Sequence, residues 1–356
     1  MTYDSTPSHR HDSTDRFALS ISEPSRVAEA RRLGTQLATK LGFQETDVGR
    51  VALVVTETAT NLVKHAVGGQ LLMRQVDGAT ERGIELLAFD KGPGMRNVSE
   101  CLRDGYSTAG SAGTGLGAIT RLASGWDIYS TVGQGTILRI WITNAAPSQT
   151  AQPSVAASDA LRVEVGGICL AKSGESVSGD GWAVEQHAKR CVIMVSDGLG
   201  HGQLAAEASW EAERILHEYR AHAPAEILHA MHAALRKTRG AAVAIAEIAM
   251  DRPHVVFAGV GNITGQIIMA QKTHHLIASN GIVGHHVGRI QAMAYPWAGD
   301  ALLVLYSDGL LSRWDLNAYP GVKGRHPSVI ASVLCRDFTR GSDDVTIVVA
   351  KMAHVT

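Results

Sequence analysis

Residues 191–202 read CVIMVSDGLGHG, an apolar run that ends in an Asp-Gly pair and a glycine-rich turn. Other Asp residues of the second half also stand at or near the ends of β-like runs: Asp180 in SGDGW, Asp308 in YSDGL, and Asp343 and Asp344 in SDDVT. A single Asp-Gly is an ordinary turn signal. Several carboxylates at the ends of adjacent buried strands would repel one another unless cations neutralise them. Because oxygen ligands suit Mg²⁺ and Mn²⁺, the pattern predicts a two-metal hydrolase.

The composition indicates an ordinary two-domain protein. The chain has 356 residues, 45% of them hydrophobic, which is enough for two cores. Its formal net charge of −1 predicts no non-specific attraction to nucleic acid or to an anionic membrane. The N-terminal stretch has no apolar signal core, no segment approaches the roughly 20 apolar residues of a membrane span, and the four cysteines lack metal or disulfide spacing. We expect a cytoplasmic protein that contacts neither nucleic acid nor membrane.

A linker is predicted over residues 144–160, NAAPSQTAQPSVAASDA, which are rich in Ala, Ser and Pro and show no hydrophobic period. It separates a first domain, 15–143, from a second domain, 161–356, and residues 1–14 form a flexible N-terminus. The second domain is rich in β-like runs, with helical stretches over about 202–221 and 224–238. Two groups of strands with helices outside them predict an α/β sandwich.

In the first domain, a helix over about 24–41 precedes a second helix that Asp47 is expected to cap. Glu57, Asn61 and His65 are four residues apart on that helix and share one face, which by itself fits a solvated polar stripe. Three glycine-rich segments follow in order: DKGPG (Asp90, Gly92, Gly94), SAGTGLG (Gly113, Thr114, Gly115, Gly117) and GQGT (Gly133, Gly135, Thr136). Each is a weak signal alone, whereas the ordered set is specific.

This ordered set, with ETATNLVKHA on the helix, resembles the GHKL (Bergerat) ATP-binding fold of the bacterial anti-sigma and RsbT-like serine kinases over residues 15–143. The resemblance implies an α/β sandwich that binds ATP with Mg²⁺, with Asn61 as a Mg²⁺ ligand and Asp90 on the adenine amino group. Glu57 matches the catalytic base, although the same carboxylate activates water in related ATPases. The implied remaining nucleotide contacts are Gly92, Gly94, Gly113, Thr114, Gly115, Gly117 and Thr136.

The second half resembles the SpoIIE/RsbX-like branch of the metal-dependent (type 2C) Ser/Thr protein phosphatases over about 162–352. SGDGW, VSDGLGHG, GVGNI, SNGIVG, YSDGL and DDVT occur in family order. The resemblance implies an α/β-β/α sandwich with two Mn²⁺ or Mg²⁺ ions and direct attack of water on phosphoserine or phosphothreonine. The implied metal positions are Asp197, which bridges both ions, the carbonyl of Gly198, and Asp180, Asp308 and Asp343. Asp344 would be a ligand only if the register slipped by one residue.

Other conspicuous residues have plainer interpretations. His201 is a general-acid or phosphate-contact candidate, and a structural role explains it at least as well. Trp182 is interpreted as a packing residue, and GVGNI and SNGIVG as turns and core contacts. The basic cluster Arg236, Lys237 and Arg239 is interpreted as a solvated helix end, with docking as a minor hypothesis.

Together these features predict an α/β (α+β) partner-switching regulator for stress signalling that is both a protein phosphatase and a serine kinase. Its shared substrate would be a small antagonist protein of the STAS type. The alternative is an ATP-binding anti-sigma-type module that docks a sigma factor or a downstream regulator, or gates the phosphatase, without kinase activity. The oligomeric state, including a homodimer, stays open.

Overall fold

The computed structural model describes residues 16–77, 82–102, 115–144, 161–187 and 189–354. These residues fall into two compact units, 16–144 and 161–354, each with its own hydrophobic core. Within the described ranges, none of the helices combines the length and the apolar character needed to cross a membrane. Most of the predicted N-terminal and linker segments lies outside the described residues.

The first unit is a five-stranded antiparallel sheet with helices packed on one face, in the strand order β1-β2-β3-β5-β4. Its strands are β1 (Arg16–Ser20), β2 (Gln70–Asp77), β3 (Arg82–Phe89), β4 (Gly125–Thr131) and β5 (Gly135–Thr143). Its helices are α1 (Pro24–Lys40), α2 (Glu45–His65), α3 (Val98–Cys101) and α4 (Gly115–Leu122). The apolar positions of α2, including Val51, Val55 and Leu62, are buried against the sheet with Leu86 and Ile140.

Helix α2 begins before the position predicted to cap it, so that prediction is wrong. Gln44 is the N-cap residue and makes no side-chain capping hydrogen bond. Asp47 lies inside the first turn, where its carboxylate is 3.4 Å from the guanidinium of Arg50. An acidic group in the first turn still stabilises the helix through the helix dipole. The shift leaves the shared face of Glu57 and Asn61 unchanged.

The second unit stacks two five-stranded antiparallel sheets, in the orders β15-β10-β9-β8-β7 and β12-β11-β16-β17-β6, beside a two-stranded ribbon, β13-β14. The strands before the helices are β6 (Leu161–Leu170), β7 (Asp180–His187) and β8 (Arg190–Gly198). The later strands are β9 (Ala241–Ala249), β10 (His254–Val260), β11 (Thr264–Ile268), β12 (Thr273–Leu276), β13 (Gly281–Ile282), β14 (His286–Val287), β15 (Met293–Pro296), β16 (Leu302–Tyr306) and β17 (Val345–His354).

Helices α5 (Gln203–Glu218) and α6 (Pro224–Ala234) cover the first of these sheets, and α7 (Pro327–Phe338) packs on β6 and β17 of the second. The core between the sheets contains Trp182, Ile193 and Leu305. Trp182 is fully buried there, which confirms its interpretation as a packing residue. The layer order, helix-sheet-sheet-helix, confirms the predicted α/β-β/α sandwich.

Helix α7 was not predicted from the sequence. Its sequence, PSVIASVLCRDF, contains β-branched residues and is buried almost throughout, so it lacks the amphipathic period that marks a surface helix. The available signal was the proline in its first turn, where its missing N–H and fixed φ favour a helix start. The imidazole Nδ1 of His326 accepts the backbone N–H of Ser328 at 3.1 Å and completes this start.

Candidate active sites

The predicted carboxylates of the second unit lie at one end of both sheets. Asp180 begins β7 and stands opposite Asp197 near the end of β8. In the other sheet, Asp308 follows β16 and Asp343 precedes β17. A hydrogen bond of 2.6 Å from Ser307 Oγ to Asp180 Oδ2 joins the two sheet ends. The fold therefore brings together carboxylates that are far apart in the sequence.

Burial and mutual repulsion disfavour the charged forms of two of these groups. Burial raises the pKa of Asp197 to about 7, and the charges of Asp308, Asp343 and Asp344 add to this effect. Burial, followed by the charge of Asp197, holds the pKa of Asp180 well above its usual range. Such carboxyl groups ionise readily only when a positive charge compensates them.

The donor set fits a divalent cation. Carboxylate oxygens are its only charged groups, and hard cations such as Mg²⁺ and Mn²⁺ prefer oxygen ligands. Among the described residues, no Lys or Arg forms an ion pair with Asp197, Asp308 or Asp343. Within the residues that the structure describes, no group of three or more Asp, Glu, His or Cys side chains is already arranged to hold a metal ion. A bound cation would thus supply the charge that these carboxylates lack and draw them together.

Asp344 has a different environment from its neighbour Asp343. Its carboxylate is buried and accepts the backbone N–H groups of Lys172 at 2.7 Å and Gly179 at 2.8 Å. It ties the β6–β7 connection to the start of β17. The side chain of Asp343 is exposed, and its Oδ1 accepts the N–H of Asp344 at 2.9 Å. This register keeps Asp343 available as a ligand and gives Asp344 a structural role.

Asn262 belongs to this site and was missed by the sequence analysis. It follows β10 in GVGNI, a segment interpreted there as a turn and core contact. Its Nδ2 donates to Asp308 Oδ2 at 2.9 Å, and it also hydrogen-bonds Asp197, where it favours the charged form and opposes the rise in pKa. The available signal was its position directly after a buried strand, as for the predicted Asp residues.

Gly198 is the last residue of β8, and His201 lies in the loop between β8 and α5. The N–H of Gly198 donates to the carbonyl of Gly179 at 3.1 Å, and a side chain at position 198 would overlap the carbonyl of Ala205 in α5. Only glycine therefore allows the helix to approach the end of β8. His201 is exposed, and its Nδ1 lies 2.6 Å from Glu175 Oε1, so Nε2 is its remaining ring nitrogen.

In the first unit, the start of α4 lies directly against the predicted base and metal ligand. Glu57 and Asn61 are half-buried on successive turns of α2. A methyl group added to Gly115 would lie 3.0 Å from Glu57 Oε2 and 3.3 Å from Asn61 Oδ1. Gly117 is buried two residues further along α4. The structure thus places a glycine backbone and the N-terminal end of a helix, which attracts anions, beside Glu57 and Asn61.

Asp90 connects the other two glycine-rich segments. Its side chain is buried, Oδ1 accepts the N–H of Gly92 at 2.6 Å, and its own N–H donates to the carbonyl of Thr136 at 3.0 Å. Gly135 has a φ of +79°, and a side chain there would overlap the carbonyl of Asp90, while one at Gly94 would overlap that of Thr131. The DKGPG turn and the β4–β5 hairpin therefore pack together through bare backbone.

Other predicted positions are less informative. His65 is exposed as the last residue of α2, where its carbonyl lies beside Gly92, so the described contact is through backbone. Thr136 hydrogen-bonds Ser130 through the two hydroxyl groups at 2.9 Å. Gly113 and Thr114 lie outside the described residues.

Glycine backbone beside Glu57 and Asn61 on one unit and an acidic cluster that lacks compensating charge on the other are typical of phosphoryl chemistry. The family model "Histidine kinase-like ATPase domain" matches residues 21–142, and the model "Stage II sporulation protein E (SpoIIE)" matches residues 187–353.

Two curated proteins of Bacillus subtilis (strain 168) are similar to separate parts of the chain. Serine/threonine-protein kinase RsbT is 34% identical over 110 residues, which cover 31% of this chain and 83% of RsbT. Phosphoserine phosphatase RsbX is 24% identical over 187 residues, which cover 52% of this chain and 92% of RsbX. A chain solved in a study of the bacterial stressosome as a modular system aligns with a TM-score of 0.51 and 26% identity, covering 53% of this chain and 100% of its own.

The chain therefore belongs to the RsbT-like histidine kinase-like ATPases through its first unit, and most of its second unit matches the SpoIIE family model. This confirms the predicted family. The protein joins a kinase-like ATPase domain to a SpoIIE-type phosphatase domain.

Proposed function

We propose that the second unit removes phosphate from a phosphoserine or phosphothreonine of a small STAS-type antagonist protein. The observation that carries this proposal is the group of carboxylates around Asp197, whose pKa of about 7 reflects burial and uncompensated negative charge. Two bound Mn²⁺ or Mg²⁺ ions would supply that compensation, an electrophilic clamp for the phosphoryl oxygens and a water of lowered pKa.

The roles of the side chains in this site follow from their surroundings. Asp197, Asp308 and Asp343 would hold the ions, together with the carbonyl of Gly198. Asp180, the remaining predicted ligand, is buried and receives the Ser307 hydroxyl, so it would contribute its carboxylate from the inner edge of the site. Asn262 would keep the Asp308 carboxylate oriented through its 2.9 Å hydrogen bond.

The first unit is proposed to bind ATP with Mg²⁺ and to transfer its γ-phosphoryl group to a serine of the same antagonist. Asp90 would accept a hydrogen bond from the adenine amino group, and Asn61 would contribute its amide oxygen to Mg²⁺. Glu57 would accept the proton of the substrate serine hydroxyl. Its carboxylate reaches the N-terminal end of α4, the position at which a phosphate group is favoured.

Opposing activities on one chain would make the phosphorylation state of the antagonist depend on both sites. Covalent linkage raises the effective concentration of each site at the other's product. The antagonist would exchange binding partners as its serine is modified, and a sigma factor or a downstream regulator is the kind of partner so released.

A second candidate function is supported by exposed apolar residues around the DKGPG turn. Val67 and Val132 are 63% and 59% exposed. The carbonyl of Val67 accepts the N–H of Lys91, and Gly133, directly after Val132, donates to Pro93. Both valines therefore border the predicted adenine site, where a docked protein could sense the nucleotide. In this alternative the first unit binds a partner, or gates the phosphatase, without phosphoryl transfer.

One experiment separates the two functions. Full-length Asp197→Ala protein is incubated with labelled ATP, Mg²⁺ and a STAS antagonist, because an active phosphatase would erase the product. The kinase proposal expects labelled antagonist, and a further Glu57→Ala change should lower labelling by on the order of 10²–10⁴-fold with ATP affinity retained.

Glu45→Ala, on the exposed first turn of the same helix, is the matched control and should label normally. ATP binding without any labelled antagonist would favour the binding or gating function. Release of phosphate from labelled antagonist by the wild-type chain with Mn²⁺ tests the phosphatase separately.

A further inference from the structure

Arg239 lies in the short turn that enters β9, next to the strand end that carries Asp197. Ala242 of β9 stands opposite Asp197 in the sheet. Two residues after Asp197, the backbone N–H of Leu199 donates to the carbonyl of Gly240 at 2.9 Å. The turn that contains Arg239 and the loop that follows Asp197 are therefore direct neighbours.

The side chain of Arg239 extends across that loop. Gly200 has a φ of +95°, in the left-handed region that favours glycine. A methyl group added to Gly200 would lie 3.0 Å from Nη1 of Arg239. The guanidinium group thus rests beside bare backbone, three residues after Asp197 in the loop that follows β8.

The backbone around Arg239 is fixed from two sides. The hydroxyl of Thr238 donates to the carbonyl of Leu235 at 2.8 Å and accepts the N–H of Gly240 at 3.0 Å. The Nε2 atom of His285 donates to the carbonyl of Arg239 at 2.8 Å. These contacts set the direction in which the side chain leaves the turn, while the side chain itself is exposed.

The other members of the basic cluster act elsewhere. The charge of Lys237 helps to lower the pKa of Glu211 on α5, after the hydrogen bond from Arg214 and against burial. The charge of Arg236, second to burial, lowers the pKa of His232 on α6. Lys237 and Arg236 therefore act on helix residues, whereas Arg239 lies against the loop of the acidic site.

The positive charge of Arg239 is not neutralised by a neighbouring carboxylate among the described residues. Across the described residues, no carboxylate forms an ion pair with its guanidinium, even though an acidic cluster lies beyond the neighbouring loop. A planar guanidinium matches the oxygens of a phosphate group and can bind two of them at once. A phosphoryl group that approaches Asp197, Asp308 and Asp343 also needs positive charge around it.

We infer that Arg239 is a substrate-binding residue that holds the phosphoryl group of a phosphate monoester, and later the product phosphate, at the rim of the metal site. The inference rests on the proposed phosphatase function. It predicts that affinity for free phosphate and for any small phosphoester depends on Arg239, because the recognised group is the phosphoryl group itself.

The test compares full-length wild-type protein with Arg239→Ala, Arg239→Lys and the matched control Arg236→Ala, all loaded with Mn²⁺. Hydrolysis of p-nitrophenyl phosphate gives KM and kcat, and calorimetry gives the affinity for inorganic phosphate. Arg239→Ala should raise KM and the Kd for phosphate by about 10- to 100-fold, the range for losing a charged hydrogen-bonding pair. Arg239→Lys should recover part of this affinity, because lysine keeps the charge without the fork.

A change in Mn²⁺ affinity is not expected in either Arg239 variant, which separates phosphate binding from damage to the metal site. Equal phosphate affinity in wild type and Arg239→Ala would overturn the inference while leaving the phosphatase function intact. So would an effect confined to a phosphoprotein substrate, which would identify Arg239 as a protein-docking residue. If the wild type hydrolyses no phosphoester, the phosphatase proposal fails, and phosphate calorimetry still decides the role of Arg239.

Discussion

In the first unit, Glu57 and Asn61 each occupy their own turn of α2 and face a glycine at the start of α4. In the second unit, the acidic groups around Asp197 crowd one end of two sheets and raise one another's cost of ionisation. The first arrangement sets one carboxylate and one amide against bare backbone, without a cluster of like charges. The second is incomplete in charge until cations bind. The first site thus depends on a close approach of glycine backbone, and the second on a deficit of positive charge.

The largest expected effect tests the charge deficit. Asp197→Ala should lower Mn²⁺-dependent hydrolysis of p-nitrophenyl phosphate by at least about 10³-fold, the upper range for removing one preorganised electrostatic group. Excess EDTA should abolish wild-type hydrolysis, and added Mn²⁺ should restore it. Asp251→Ala, in an exposed turn after β9, should behave as wild type. Full wild-type activity in EDTA would contradict the charge deficit, because the acidic site would then work without cations.

The next effect tests the predicted nucleotide contacts of the first unit. Asp90→Asn should weaken both ADP and ATP binding by about 10- to 100-fold, because a charged acceptor is lost. Asn61→Ala should weaken ATP with Mg²⁺ more than ATP in EDTA, because only the former uses the amide oxygen. Isothermal titration of the full chain measures each affinity, with Lys64→Ala on an exposed position of the same helix as control. Unchanged affinities for ATP and ADP in both variants would contradict nucleotide binding at this site.

A smaller effect distinguishes two adjacent carboxylates. Asp344→Asn should lower the free energy of unfolding in EDTA by about 1–3 kcal/mol, because its carboxylate accepts two backbone N–H groups. Asp343→Asn should change that free energy by no more than about 0.5 kcal/mol, as expected for an exposed position, yet abolish Mn²⁺-dependent hydrolysis. Urea unfolding followed by circular dichroism measures the first quantity. The reverse pattern would mean that Asp344 is the ligand and that the register is shifted.

The last effect concerns the pH dependence of metal-free stability. The pKa of Asp197 is about 7 in the folded protein and about 4 in an unfolded chain, so the folded state binds the extra proton between these values. Stability is then full below about pH 4 and falls as the pH rises to about 7. In EDTA, Asp197→Asn should gain stability relative to wild type across this window and keep a constant advantage above it. A difference that is flat from pH 4 to 8 would contradict the raised pKa.

The strand-end pattern predicted the positions of the second site because hydrophobic runs and their terminal residues are local signals. Asp180, Asp197, Asp308 and Asp343 all lie where a buried strand begins or ends, and the sandwich brings these ends together. Their role as metal ligands stays a prediction. The different environments of Asp343 and Asp344 depend on the backbone N–H groups of Lys172 and Gly179, which donate to Asp344. No local sequence pattern indicates these contacts.

Contacts between distant segments explain the other omissions. Asn262 reaches Asp308 across 46 positions of sequence, and a lone Asn after a strand has many ordinary uses in turns. Helix α7 was missed because tertiary burial overrides the preference of its β-branched residues. In the first unit, the spacing of the glycine-rich segments indicated a nucleotide site, but only the structure placed Gly115 beside Glu57 and Asn61.

The pairing of Asp180 with Asp197 across two antiparallel strands has a consequence for the lifetime of the protein in a cell. Ligands that bind only the folded state stabilise it, by about 2.7 kcal/mol at a hundredfold excess over Kd. Without its cations, this end of the sandwich would open more often and offer its strand ends to proteases. Metal supply would therefore govern how much of the chain persists as well as how fast each copy works.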